Sequence, residues 1–222
     1  WVVIDLSSKT SSEAHLVHVE TPEAAPRCVA PRRPDVEYSI EVARDCLYIL
    51  HNDGAPQFEL ARAPLDSSGP EQWVTVLPER PRTRLLEVDA YNRWLVVQHR
   101  TEGMTGVTVF PVGPDGGLGR EQPILFPEPL YELSAGADAD PDADRIRLSY
   151  ESLNTPSEVI EYRMDTAQRK LLRQLPVLDH PSEGPFRSSD YVTERTWASA
   201  GDGTQIPVSV VRRHDTPVDG TA

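Results

Sequence analysis

Short runs of Val, Ile, Leu and Tyr recur along the chain, bounded by Pro, Gly, Asp and Ser, which is the punctuation of strands and turns rather than of helices. The pattern predicts a mainly β chain. One unit, a strand, a polar turn and a second strand, occurs four times: residues 2–19 (VVIDLSSKTSSEAHLVHV), 48–63 (YILHNDGAPQFELARA), 95–112 (LVVQHRTEGMTGVTVFPV) and 148–164 (LSYESLNTPSEVIEYRM). Ser7, Thr10, Ser12 and Glu13 of the first unit reappear as Ser152, Thr155, Ser157 and Glu158 of the fourth, at a constant offset of 145. In register, Ile4, Tyr48, Val96 and Ser149 become equivalent, at intervals of 44, 48 and 53 residues. A period of about 40 to 50 residues with about four strands per repeat is the signature of a propeller, whose blades bury each other's faces. A β-sandwich, with turns every 8 to 12 residues or so and no longer period, is the weaker alternative.

Further strand candidates complete the repeats. Residues 38–42 and 84–88 precede the second and third hairpins, and residues 73–77 and 124–126 follow them. Met164, Ala167, Leu171 and Leu175 could form a helical stripe, but the repeat favours a strand, a turn at residues 165–168 and another strand. After Val177 the composition changes: Pro181, Ser182, Glu183, Gly184, Pro185, Ser188 and Ser189 form a polar linker. Beyond it, residues 191–200 and 204–213 flank Gly201, Asp202 and Gly203, a strong hairpin signal. The expected fold is therefore mainly β: a partial β-propeller of about four four-stranded blades, then the opening β-hairpin of a second domain. The first blade lacks its inner half and no closed ring is expected. Because the chain starts at Trp1 inside a strand-like run, without an initiator methionine, it reads as a piece of a longer protein.

Charge narrows the partners. Asp and Glu number 35 against 22 Lys and Arg, and the net charge of −13 disfavours nucleic acid and anionic lipid surfaces. The longest apolar runs, residues 2–4 and 94–97, fall far short of the roughly 20 residues of a membrane-spanning helix, so no membrane span is expected. Two cysteines and no signal-like start point to a reducing, cytoplasmic compartment.

Candidate chemistry is sparse. The sequence contains no Gly-x-Ser-x-Gly elbow, no Gly-x-Gly-x-x-Gly turn and no Walker-type Gly-Lys-Ser/Thr. Residues 113–119 (GPDGGLG) read as a surface turn. His15 and His18 lie three apart in a strand, where side chains point to opposite faces, so they do not share an ion. His51 and His99 occupy matching places just after the first strand of the second and third hairpins. Residues 138–144 (DADPDAD) suggest calcium, but an EF-hand loop needs Gly where Ala143 stands and Glu where Ser149 stands; a solvated acidic loop fits better. Cys28 and Cys46 are expected as free, partly buried thiols. No catalytic, cofactor-binding or metal-ligating residue is assigned, and no cofactor is expected.

Several stretches nonetheless resemble a known family: residues 36–42 (VEYSIEV), 45–53 (DCLYILHND), 58–60 (FEL), 125–128 (LFPE) and 148–157 (LSYESLNTPS), and above all 194–200 (ERTWASA) running into 202–209 (DGTQIPVS). They are similar to the prolyl oligopeptidase family of serine peptidases, most of all to its oligopeptidase B (protease II) branch. In that family an Asp-Gly-Thr-x-Ile/Val-Pro hairpin opens the α/β-hydrolase domain after the propeller. The resemblance implies seven blades, of which about four are here, with residues 1–177 the C-terminal part of the propeller. Residues 178–190 would be an inter-domain hinge and residues 191–222 the first hairpin of the hydrolase domain. It further implies a Ser-Asp-His triad beyond that hairpin, so that this chain alone is inactive, and cleavage of short peptides after Arg or Lys. The implied partners are short basic peptides and a hydrolase domain of the same chain, and the isolated piece is expected to self-associate. A stand-alone propeller serving as a protein-interaction module is the alternative.

Overall fold

A computed structural model describes residues 1–179, 181 and 184–221 of the chain. Strands β1 (Val2–Ser7), β2 (Ser12–Val17) and β3 (Arg27–Cys28) form the first sheet. The second sheet holds β4 (Tyr38–Ala43), β5 (Cys46–His51), β6 (Glu59–Pro64) and β7 (Val74–Leu77), and the third β8 (Thr83–Ala90), β9 (Trp94–Thr101), β10 (Met104–Pro111) and β11 (Gln122–Pro123). The fourth holds β12 (Tyr131–Gly136), β13 (Arg145–Ser152), β14 (Glu158–Arg163) and β15 (Arg169–Gln174); β16 (Tyr191–Ser199) and β17 (Gln205–Arg213) pair separately. In every sheet the strand order follows the chain. These are the blades of a partial β-propeller and the hairpin that follows them.

The chain divides into two compact units, Trp1–Glu102 with Thr108–Gln122 and Asp138–Asp144, and Gly103–Val107 with Pro123–Ala137 and Arg145–Ala222. In the first unit, β5 (CLYILH) is buried at every residue because it serves two cores. Successive strand residues point to opposite faces, so Leu47 and Ile49 pack with Ala14, Leu16, Val29, Tyr38 and Ile40, while Tyr48 and Leu50 pack with Leu60, Val88, Leu95, Val97 and Phe110. Each fully buried Leu or Ile contributes about 1.5–3 kcal/mol, which is what holds neighbouring sheets face to face. Tyr38 pins the first interface: its hydroxyl donates to the Ala30 carbonyl (2.7 Å) and accepts from the N–H groups of Ala14 (2.8 Å) and Ala30 (3.2 Å).

In the second unit, β13 alternates cleanly: Ile146, Leu148 and Tyr150 are buried and Arg145, Arg147, Ser149 and Glu151 exposed. Phe126 stacks on Tyr150 with centroids 3.9 Å apart, and the Arg169 guanidinium lies over the Phe126 ring at 4.3 Å. Residues 165–168 form a turn between β14 and β15, with Ala167 at φ 56°, so the helical stripe is not a helix. The hairpin β16–β17 runs in register from Tyr191↔Arg213 to Ser199↔Gln205. Its turn is closed by Gly203 N–H to the Ala200 carbonyl (2.9 Å) and by the Asp202 carboxylate accepting from Thr204 N–H (2.9 Å).

Two local expectations change, and one strand was not anticipated. Residues 124–126 are not a strand: they lie between Pro123 and Pro127, and the pairing segment is Gln122–Pro123. Ile124 is buried with its N–H on the Val107 carbonyl (2.9 Å), and Phe126 is drawn into the aromatic cluster. Strand β12 was hidden by its Ser-Ala-Gly end, which carries little apolar signal. His51 and His99 lie within β5 and β9 rather than after them. Of the polar linker, Ser182 and Glu183 lie outside the described residues.

Candidate functional site

The first unit brings acidic residues together where β4 and β8 meet: Asp89 is buried, Glu41 half-buried and Glu87 exposed. The leading strands β4 and β8 touch each other, and β4 also touches β2. Glu41 on β4 sits between the apolar Ile40 and Val42, and Asp89 on β8 between Val88 and Ala90, and the charge of Asp89 acts on the Glu41 carboxyl. Burial, reinforced by the charges of Asp89 and Glu87, pushes the Glu41 carboxyl up to about 7, partly offset by the Ala90 N–H. Burial and then Glu87 push Asp89 up to about 6. Glu87 accepts a hydrogen bond from Gln98 Nε2 at 2.8 Å. Among the described residues no cation is one of the groups that shift Glu41 or Asp89, and a guanidinium or ammonium group brought beside them would favour their ionised form. The sequence signal was an acid embedded in each of two apolar alternations, but it needs the packing of β4 on β8 to acquire meaning.

The residues singled out from sequence separate. His18 stands edge-on to Trp1, with centroids 4.7 Å apart, whereas His15 Nε2 meets Glu13 Oε1 at 2.8 Å. Across the sheet His15 pairs with Cys28, so Glu13, His15 and Cys28 share one face, a grouping no linear spacing announced. His51 is buried beside Trp73 and lies 3.6 Å from Glu59, with burial lowering its pKa; His99 Nε2 meets Thr108 Oγ1 at 3.0 Å. The matched histidines thus make different local contacts. Residues 138–144 form an exposed loop whose Asp140 and Asp142 N–H groups bond the preceding aspartates, and Asn92 Nδ2 donates to Asp142 at 2.8 Å. Cys46 is a buried free thiol and Cys28 a half-buried one; burial, then the Glu13 charge, push the Cys28 thiol up, which makes it a poor nucleophile.

Comparison with known proteins gives the frame for these features. Residues 1–175 match the family described as prolyl oligopeptidase, N-terminal beta-propeller domain. The chain is 32% identical over 227 residues to dipeptidyl aminopeptidase BI of Pseudoxanthomonas mexicana, covering 100% of this chain and 29% of that protein. It is 29% identical to protease 2 of Moraxella lacunata, covering 95% of this chain and 29% of the relative. It superimposes on oligopeptidase B from Trypanosoma brucei, solved with covalently bound antipain in a closed form, with a TM-score of 0.85 and 26% identity, over 97% of this chain and 31% of that one. The chain therefore spans less than a third of the proteins it is similar to.

Proposed function

Because the chain belongs to the prolyl oligopeptidase family, we propose that it is the non-catalytic, substrate-filtering propeller portion of a serine oligopeptidase that hydrolyses short peptides after Arg or Lys. In this reading residues 1–177 are propeller, residues 178–190 a hinge and residues 191–222 the first hairpin of the hydrolase domain, whose triad lies outside this chain. An open depression of about 410 Å³ beside the hinge, lined by Thr155, Gln174, Asp179 and Arg187 among others, leaves room for the hinge to move. A cytoplasmic setting belongs to the same proposal and is supported by two free thiols.

The observation that carries the substrate class is the junction of Glu41, Glu87 and Asp89, set in a chain of net charge −13. Such a field draws in cationic peptides through long-range attraction, and salt weakens it. The test compares this chain with the full-length protein on Arg- and Lys-based chromogenic peptides. The chain alone is expected to be inactive. The full-length protein is expected to cleave, with kcat/KM falling as salt rises, and Glu87→Gln with Asp89→Asn is expected to raise KM about three- to tenfold while leaving kcat unchanged. A KM insensitive to both salt and neutralisation overturns the basic-peptide part; a full-length sequence without a downstream Gly-x-Ser-x-Gly elbow overturns the peptidase itself.

A further inference from the structure

On the first sheet, Leu6 pairs with Glu13, Ile4 with His15 and His15 with Cys28, which places Glu13, His15 and Cys28 on one face, opposite the face that Ala14 and Leu16 bury in the core. One ligand atom from each, a carboxylate oxygen, an imidazole nitrogen and a sulfur, lies within 4.8 Å of the others. We propose that these three residues bind a divalent ion of the zinc class, with the fourth position open to water.

The donor set selects the ion. A thiol and an imidazole suit borderline-soft ions, whereas Mg²⁺ and Ca²⁺ require six or more oxygens. Metal–ligand bonds of about 2.0–2.3 Å in a tetrahedron separate the ligand atoms by roughly 3.3–3.7 Å. Glu13 Oε1 and His15 Nε2, 2.8 Å apart, must open slightly, and the sulfur must close from at most 4.8 Å. Rotation about side-chain bonds supplies both changes, since all three residues are half-buried rather than locked in a core. The second carboxylate oxygen of Glu13 already accepts from the Arg32 N–H at 2.8 Å, which holds the carboxylate in place and leaves Oε1 for the metal. Bound Zn²⁺ ionises a coordinating thiol outright, releasing its proton to solvent, and the thiolate and carboxylate then neutralise the ion's charge. The consequence is mechanical: β3 is tied to β2 by only two residue pairs, and the ion clasps them together.

Titration of the 222-residue chain with Co²⁺ tests the site. The expected result is one Co²⁺ per chain with thiolate-to-cobalt absorption in the near ultraviolet, competed away by Zn²⁺ and not by Mg²⁺. Cys28→Ser should abolish that absorption, His15→Gln should weaken binding about tenfold or more, and Cys46→Ser should leave both unchanged. Zn²⁺ should also slow alkylation of Cys28 and raise the Tm. A variant that melts like the parent chain without metal confirms that lost binding is not lost folding. The proposal is overturned if no thiolate absorption forms, if it survives Cys28→Ser, or if the Zn²⁺-dependent rise in Tm persists in both Cys28→Ser and His15→Gln.

Discussion

Glu41 is the residue at which charge and packing oppose each other most openly. Its carboxyl is held near 7 in the folded protein against 4.5 for the free group, so protonation stabilises the fold. The sign follows: the stabilisation is complete below the unfolded value and is lost as pH rises through about 7. Asp89, at about 6 against 3.8, acts in the same direction. The Tm is therefore expected to fall by about 2–6 °C between pH 5.5 and 8, and Glu41→Gln should remove much of that slope; differential scanning calorimetry across the range checks it, and a Tm that rises with pH contradicts it. Tyr38 is the opposite case, a polar atom fully used. Tyr38→Phe leaves the Ala30 carbonyl and the Ala14 N–H buried without their partner, at a cost of about 1–3 kcal/mol, read as a lower urea midpoint with an unchanged m-value.

At the scale of elements, the hairpins were the legible part of the sequence. β-Branched and aromatic alternation with polar turns marked β1–β2, β5–β6, β9–β10 and β13–β14, because a strand buried on a face must repeat its apolar residues with period two. What stayed hidden was whatever depends on a neighbour. β12 ends in Ser-Ala-Gly and is fixed by its pairing with β13, and Phe126 leaves its strand candidate for the ring of Tyr150. The acidic junction and the Glu13–His15–Cys28 face each combine residues from two strands, so neither has a linear motif. The Gly201-Asp202-Gly203 turn, by contrast, carries its own instruction. Gly203 stands at φ 86°, a conformation an L side chain rarely adopts. Gly203→Ala is expected to destabilise this hairpin by about 1 kcal/mol. Hydrogen exchange should show faster amide exchange in β16 and β17 and unchanged protection in β4–β6; equal loss everywhere would show that the hairpin does not open by itself.

For the whole molecule, exposed apolar surface decides behaviour in solution. Val2, Ile4 and Leu6 on the edge strand β1 are 48, 37 and 46% exposed, and Leu171, Leu172 and Leu175 lie open on or just beyond β15, the edge strand of the fourth sheet. Edges with this composition pair with other chains, so the isolated chain is expected to self-associate in a concentration-dependent way; a single monomeric species in sedimentation velocity would falsify this. The strand order within each sheet also has a kinetic meaning. Every sheet is assembled from strands adjacent in the sequence, so loop closure is short and contact order low for an all-β chain. Each sheet can therefore form once its own last strand has been synthesised, before the following one exists. Residues 1–77, which hold all the strands of the first two sheets, should begin to acquire structure on the ribosome while later segments are still being made, so that the order of translation limits the time their strand edges stay unpaired.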